Sequence, residues 1–247
     1  MSHLILSEIK KLTSTVWFWI VTASAVVLPP VSAIANVLGA GRNGTSPLGT
    51  TANVHHILSS TALTSMLAIG VGIASSAGEF RHGTAIPTFL ATPRRRRVVI
   101  AKAALATAYG SAVGAVGFAT GVAAAVPALH ARGIHHLAGD TLQMWLGATI
   151  ASALFGTLGV AIGTLTRSTV AAIVAVVVWS QFVEMQLLAA VAPAVDAWFP
   201  TAANVSVTRS ADHLDRFLSP VAGGALLVMY ALGGLITAAV VMTRRDV

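Results

Sequence analysis

The sequence predicts an all-α integral membrane protein: a six-transmembrane-helix bundle with an N-terminal amphipathic interfacial helix and a short helical segment on the cytoplasmic side. Three observations predict it. Of 247 residues 55% are hydrophobic and 9% charged, with a mean hydropathy of +0.81, whereas about a quarter of the residues of a water-soluble domain are charged. Six stretches reach the roughly 20 apolar residues that cross a hydrocarbon core. Lysine and arginine collect on alternate connections between these stretches. Lipid leaves backbone amides nothing to bond with, and the stretches lack the two-residue alternation of a barrel strand, so each is expected as an α-helix.

Residues 1–16 come first, as one part of a single transmembrane domain over 1–247. Leu4, Ile9, Leu12, Val16 and Trp19 recur at near-helical spacing, with Ser7, Lys10, Lys11 and Ser14 on the other face. That pattern describes a helix lying in the interface, with Trp17 and Trp19 at headgroup level. A cleaved signal peptide is the competing reading, given the basic start, the apolar run and small residues near Val31 and Ala33; it would leave five spans. Glu8 is unusual in the charged region of a signal and favours the interfacial helix.

The spans are expected near 17–38, 57–78, 98–127, 141–165, 169–193 and 219–243. With the N-terminus inside, the inner side carries Lys10, Lys11, Arg81, Arg94, Arg95, Arg96, Arg97, Lys102, Arg167, Arg244 and Arg245, against Arg42, Arg132, Arg209 and Arg216 outside. Eleven against four places both termini and the arginine run of 79–97 in the cytoplasm. Arg94, Arg95, Arg96, Arg97 and Lys102 are expected as anchors on anionic lipid headgroups. The net charge of +7 has the same origin; no groove-reading motif or stacking platform accompanies it, so nucleic acid is not an expected partner. The absence of cysteine excludes disulfides and thiolate metal sites.

Within the spans, Gly110 with Gly114, Gly117 with Gly121, and Gly156, Gly159 and Gly163 allow close helix contact, within one subunit or at a subunit seam. Ser180, Gln181 and Glu184 are expected on one face of the fifth span. An intramembrane carboxylate needs a partner or a wet cavity, so this trio is read as an interhelical polar contact or as part of a substrate pathway. The segment 194–218 is long for a connection and fits a mobile outer loop or short helices folding back toward the bilayer. His55, His56, His130, His135, His136 and His213 fall in outer loops, without the spacing of a metal site. Asn43 and Asn204 begin N-x-[ST] triplets that carry no function by themselves.

The order of an amphipathic N-terminal helix, a first span and the segment "EFRHGTAIPTFLATPRRRRVVIAK", with Phe199-Pro200 before the last span and a terminal "RRDV", resembles the ATP-binding cassette (ABC) type 2 permease family. The resemblance implies a transmembrane subunit of an exporter, in which two permeases, identical or paralogous, form the pathway and two ATPase subunits bind below. It implies that Glu79, Phe80, Arg81, His82, Gly83 and Thr84 lie in a coupling helix that docks on the ATPase, with Pro87 keeping that helix short. No G-x-x-x-x-G-K-[ST] loop occurs in the chain, so no cofactor is expected on it, and ATP with magnesium belongs to the partner. No catalytic or metal site is expected. A secondary transporter is the alternative function, but it needs coupling residues at the midplane of repeated halves, and Glu184 is the one candidate. Drug, peptide, lipid and self-resistance cargoes all fit the sequence equally.

Overall fold

The computed structural model describes residues 2–40, 50–59, 63–81, 95–135, 139–209 and 216–244. Those residues form helices and no strands: α1 (Ser2–Thr13), α2 (Val16–Gly39), α3 (Thr51–Ser59), α4 (Leu63–Arg81), α5 (Arg95–His130), α6 (Thr141–Thr166), α7 (Thr169–Val178), a π-helix π1 (Trp179–Leu188), α8 (Ala189–Val191), α9 (Pro193–Asp196), α10 (Pro200–Thr208) and α11 (Pro220–Arg244). Six helical stretches are long and apolar enough to cross a membrane: Val16–Gly39, Asn53–Glu79, Arg96–His130, Thr141–Thr166, Thr169–Val191 and Pro220–Arg244. The chain is an all-α membrane bundle, as the composition requires.

α6 is the axis of the bundle. In its most apolar stretch 67% of residues are buried, against 17% in Thr169–Val191 and 22% in both Val16–Gly39 and Pro220–Arg244. Its glycines explain the position. A Cβ on Gly159 or Gly163 would fall closer than 3.0 Å to the carbonyl oxygens of Ile69 and Ile73 on α4, and one on Gly156 equally close to that of Ala106 on α5. The approach is reciprocal: Gly72 of α4 meets Gly156, and Gly110 and Gly114 of α5 meet Ser152 and Ala148. Without side chains at these points the helix backbones touch, gaining the dispersion contacts that hold helices together in lipid. The glycine stripes therefore pack within one subunit. Between the glycines, Ile69, Ile73, Ala151, Phe155 and Leu227 fill one core cluster, and Val54, Ile57, Phe118, Leu129 and Met144 another.

Side-chain hydroxyls cross this interior in pairs. Thr64 and Ser65 of α4 lie 3.0 and 3.2 Å from Ser152 Oγ, and Thr107 of α5 lies 2.7 Å from Thr157 of α6. Ser65 also donates to Asn204 Oδ1 at 3.3 Å. Asn204 is thus buried and bonded inside the bundle, which removes it as a glycosylation acceptor.

The segment after the fifth span folds back on the bundle as short helices. Phe199 is extended and Pro200 occupies the first turn of α10, where its missing N–H costs nothing. Seven of the nine residues of α10 are buried, Thr201 to Asn204 and Ser206 to Thr208. Its Val207 carbonyl meets Gly147 of α6, and its Ser206 side chain meets Gly223 of α11.

Candidate functional site

A buried ion network joins the N-terminal helix to two spans at the end of the bundle where α4 stops and α5 starts. α1 carries one acid, Glu8, on the face turned toward the spans; it is 2% exposed, while Leu6, Ile9 and Lys10 face outward. Lys11, one turn on, donates to Glu8 Oε1 and to Glu79 Oε1, each at 2.7 Å. Lys102, on the second turn of α5, reaches Glu8 Oε2 at 2.5 Å and Glu79 Oε1 at 3.1 Å, and donates to the Ser75 carbonyl of α4 at 2.8 Å. Glu79 lies in the last turn of α4 and is also buried. Two carboxylates and two ammonium groups balance in charge and share their hydrogen bonds, the condition under which burying ions is tolerable.

This geometry corrects the expectation for Lys102. Its side chain is 5% exposed, bonded to Glu8 and to the Ser75 carbonyl and in ion-pair range of Glu79, so it does not anchor the chain on headgroups. The reason is phase: Arg96 and Arg97 project outward from the first turn of α5, while Lys102 returns to the side facing α1 and α4. Glu79 likewise is engaged within the chain rather than presented at the surface. Of the other expected contact residues, Phe80 and Arg81 end α4. His82, Gly83, Thr84, Pro87 and Arg94 lie outside the described residues, as do the side chains of Phe80, Arg81 and Arg95.

Burial pushes the Glu8 carboxyl up, but the charge and hydrogen bond of Lys102, with those of Lys11, outweigh it and hold Glu8 below its ordinary value. Burial pushes Lys11 down, and its bonds to Glu79 and Glu8 outweigh that and raise it. A lowered acid contributes stability that is present above its unfolded value and lost as pH falls through the folded one; a raised base contributes stability that is lost as pH climbs through its folded value. The network is therefore expected to hold α1 across neutral pH and to release it first in acid below about pH 4 and again in strong alkali. Limited proteolysis of α1 in the purified protein across pH checks this, and cleavage that rises steadily between pH 6 and 8 contradicts it.

The second polar site is in the fifth span. Glu184 is 2% exposed, and its Oε2 accepts the backbone N–H of Thr201 at 2.8 Å, with the side chains of Thr201 and Trp179 beside it. Thr201 is the second residue of α10, so its N–H is one of the donors that a helix start leaves unpaired, and a carboxylate there also meets the positive end of the helix dipole. Glu184 faces protein, and its partner is the infolded outer helix. Ser180 is buried with it, whereas Gln181 is exposed, contrary to its expected place on the same face. The cause is π1: its wider turn brings residues four and five apart into line, so Ser180 and Glu184 share a stripe that Gln181 leaves. Glu184→Gln keeps an acceptor for Thr201 and is expected to leave the fold near wild type, while Glu184→Leu orphans a buried N–H at a cost of about 1–3 kcal/mol. Thermal unfolding in detergent distinguishes them; equal midpoints for both variants and wild type would remove the role of Glu184 as a cap for α10.

A model of the ABC-2 family of transporter proteins matches residues 4–183. The chain belongs to that family. The matched range takes in α1, the ion network, the axial α6 and π1 as far as Val183. This chain is accordingly a membrane permease of an ABC transporter, a multi-pass component of the kind that associates with an ABC ATPase. No curated protein matches it. Among the residues that now matter in the permease, Glu8 and Lys11 were not read as site residues from the sequence. Their one signal was a lone acid in an amphipathic helix followed by a lysine at i+3, the spacing of an intrahelical pair.

Proposed function

We propose that this permease is the transmembrane subunit of an ABC exporter, with both termini in the cytoplasm of a cell membrane and ATP hydrolysed with magnesium on a separate ATPase. In this reading two ATPase copies bind beneath two permeases, the second being another copy of this chain or a paralogue. Segment 79–97 is the docking element, and Arg81 supplies a specific contact with the ATPase. Arg94, Arg95, Arg96 and Arg97 act collectively on headgroups, at about 1 kcal/mol each.

The observation that carries the reading is the position of the ion network. It ties α1, α4 and α5 into one unit where the docking segment begins, so a push on that segment has a rigid body to move. Glu79 then serves coupling by holding this unit rather than by touching the ATPase. The exposed apolar faces of α2, α7 with π1, and α11, including Val27, Val177, Phe182 and Leu232, are where lipid or the second permease would sit.

Purifying the tagged permease in mild detergent tests the proposal. Copurification of an ATPase is expected. Arg81→Ala should lose the ATPase while the permease stays folded, and Arg95→Ala should retain it. Equal retention in both variants would leave the arginine-rich segment with orientation as its role, and the absence of any ATPase would overturn the proposed coupling to a separate ATPase.

A further inference from the structure

The bundle leaves α2, α7 with π1, and α11 largely uncovered by protein. Lipid suits the first and the last. Their exposed mid-span side chains include Val26, Val27 and Leu28 on α2 and Met229, Leu232 and Ile236 on α11. Thr237 of α11 returns its hydroxyl to the Gly233 carbonyl of its own helix at 2.8 Å, so it asks nothing of its surroundings. π1 differs. Gln181 and Gln186 are both exposed, and Gln181 lies one residue past the middle of the Thr169–Val191 span. Neither carboxamide has a hydrogen-bond partner among the described residues. Gln143 is exposed too, but it stands in the first turn of α6, at an end of its span where headgroup water reaches. A glutamine presents two donor hydrogens and an acceptor oxygen, and acyl chains can bond none of them.

The π-helix also brings the two glutamines together. Positions five apart point about 140° away from each other around an α-helix of 3.6 residues per turn. In π1, bonded from i to i+5, that interval is close to one turn, so Gln181 and Gln186 share a side with Phe182 and Met185, away from the buried Ser180 and Glu184.

We propose that, in the two-permease arrangement on which this inference rests, this face of π1 seats a second copy of the chain, held by carboxamide pairs between like residues. Two copies inserted the same way round are related by an axis along the membrane normal, so a residue on the shared face meets its own counterpart at the same depth. That geometry suits glutamine. Each carboxamide both donates and accepts and can pair with its own copy, whereas two like charges in the same place would repel. Phe182 and Met185, exposed beside the glutamines, pack around the pairs, with the flexible thioether adapting to what it meets. Acyl chains pack on Val27 or Leu232 about as well as another helix does, so apolar area alone selects no seat in a membrane; side chains that need hydrogen bonds do.

The chain has no cysteine, so single substitutions report on one contact each. Gln181→Cys and Gln186→Cys, oxidised in membranes holding the full-length permease, should each give a disulfide-linked dimer. Val27→Cys and Leu232→Cys, near mid-span on the other two faces, should remain monomeric under the same treatment. Single-molecule photobleaching of labelled permease diluted into lipid vesicles measures the dimer fraction directly. Gln181→Leu combined with Gln186→Leu should shift the monomer–dimer midpoint about tenfold toward higher protein density while the permease stays folded, as loss of interhelical hydrogen bonds requires. Gln181→Asn combined with Gln186→Asn keeps the carboxamides and should shift it less. Positions turned to lipid would behave oppositely, since leucine suits acyl chains better than glutamine. Cross-linking at Val27→Cys or Leu232→Cys in place of the glutamine positions would overturn the proposal. So would a wild type that is monomeric at every density, or an undiminished dimer in the double leucine variant. No ATPase enters these measurements, so their failure leaves the coupling to an ATPase standing, and failure to recover an ATPase leaves this face as it is.

Discussion

Lys102→Ala is expected to destabilise the permease by about 3–5 kcal/mol, the range for removing one partner from a buried ion pair, and to free α1 from the bundle. The wild-type ammonium is buried, bonded to Glu8 and to the Ser75 carbonyl, and in ion-pair range of Glu79. Its removal leaves two carboxylates on one remaining cation, Lys11, whose side chain is 41% exposed and shared with water. Glu8, the most buried of the four charged groups, then loses the larger part of its compensation. The fraction of monodisperse protein, and protease cleavage of α1, measure the effect. Adding Glu8→Gln to Lys102→Ala should recover part of the loss by removing the stranded charge, which a volume defect alone would not permit. An unchanged thermal midpoint and an uncut α1 in Lys102→Ala would show that the network does not hold the helix.

The same residues show what a sequence discloses. The six spans were legible because span length and apolar composition are local properties set by bilayer thickness. The place of α6 at the axis was partly legible, since glycines at small-residue spacing announce close contact although not with which helix. Lys102 was misread because a charge bias counts lysines without saying which way each one points. Its partners are 94 and 23 residues away, Glu8 and Glu79, and pairing across such separations is decided by packing that no local pattern encodes. Gln181 was misplaced for a different reason: an α-helical wheel was applied to a stretch that folds as a π-helix, and the 3.6-residue period failed there. The infolded α10 had a local signal in Pro200, which marks a helix start, but its burial depends on Gly147 and Gly223 in helices distant in sequence.

The glycine stripe allows the opposite kind of test, in which adding one methyl group should do more harm than deleting many. Gly159→Ala places a Cβ closer than 3.0 Å to the Ile69 carbonyl oxygen, with the Ile69 carbonyl carbon next in line. These are backbone atoms of α4, so no side-chain rotation relieves the clash and the two helices must separate. Separation would break the neighbouring contacts at Gly72, Gly156 and Gly163 and pull Thr64 and Ser65 from Ser152, since all lie along the same seam. Overpacking costs typically about 1–3 kcal/mol, and a seam whose contacts fail together belongs at or above the upper end. Against it stands the gain of about 1 kcal/mol when alanine replaces glycine inside a helix. Gly70 and Gly78 of α4 isolate that gain, because a Cβ on either meets nothing within 4 Å. Gly70→Ala and Gly78→Ala should therefore raise the unfolding midpoint slightly, while Gly159→Ala lowers it sharply. The oligomeric state should not change in Gly159→Ala protein that remains folded, because the contact lies within one chain. A Gly159→Ala variant as stable as Gly70→Ala would mean that α4 and α6 do not meet backbone to backbone; a shifted oligomeric state without loss of stability would move the stripe to a subunit seam.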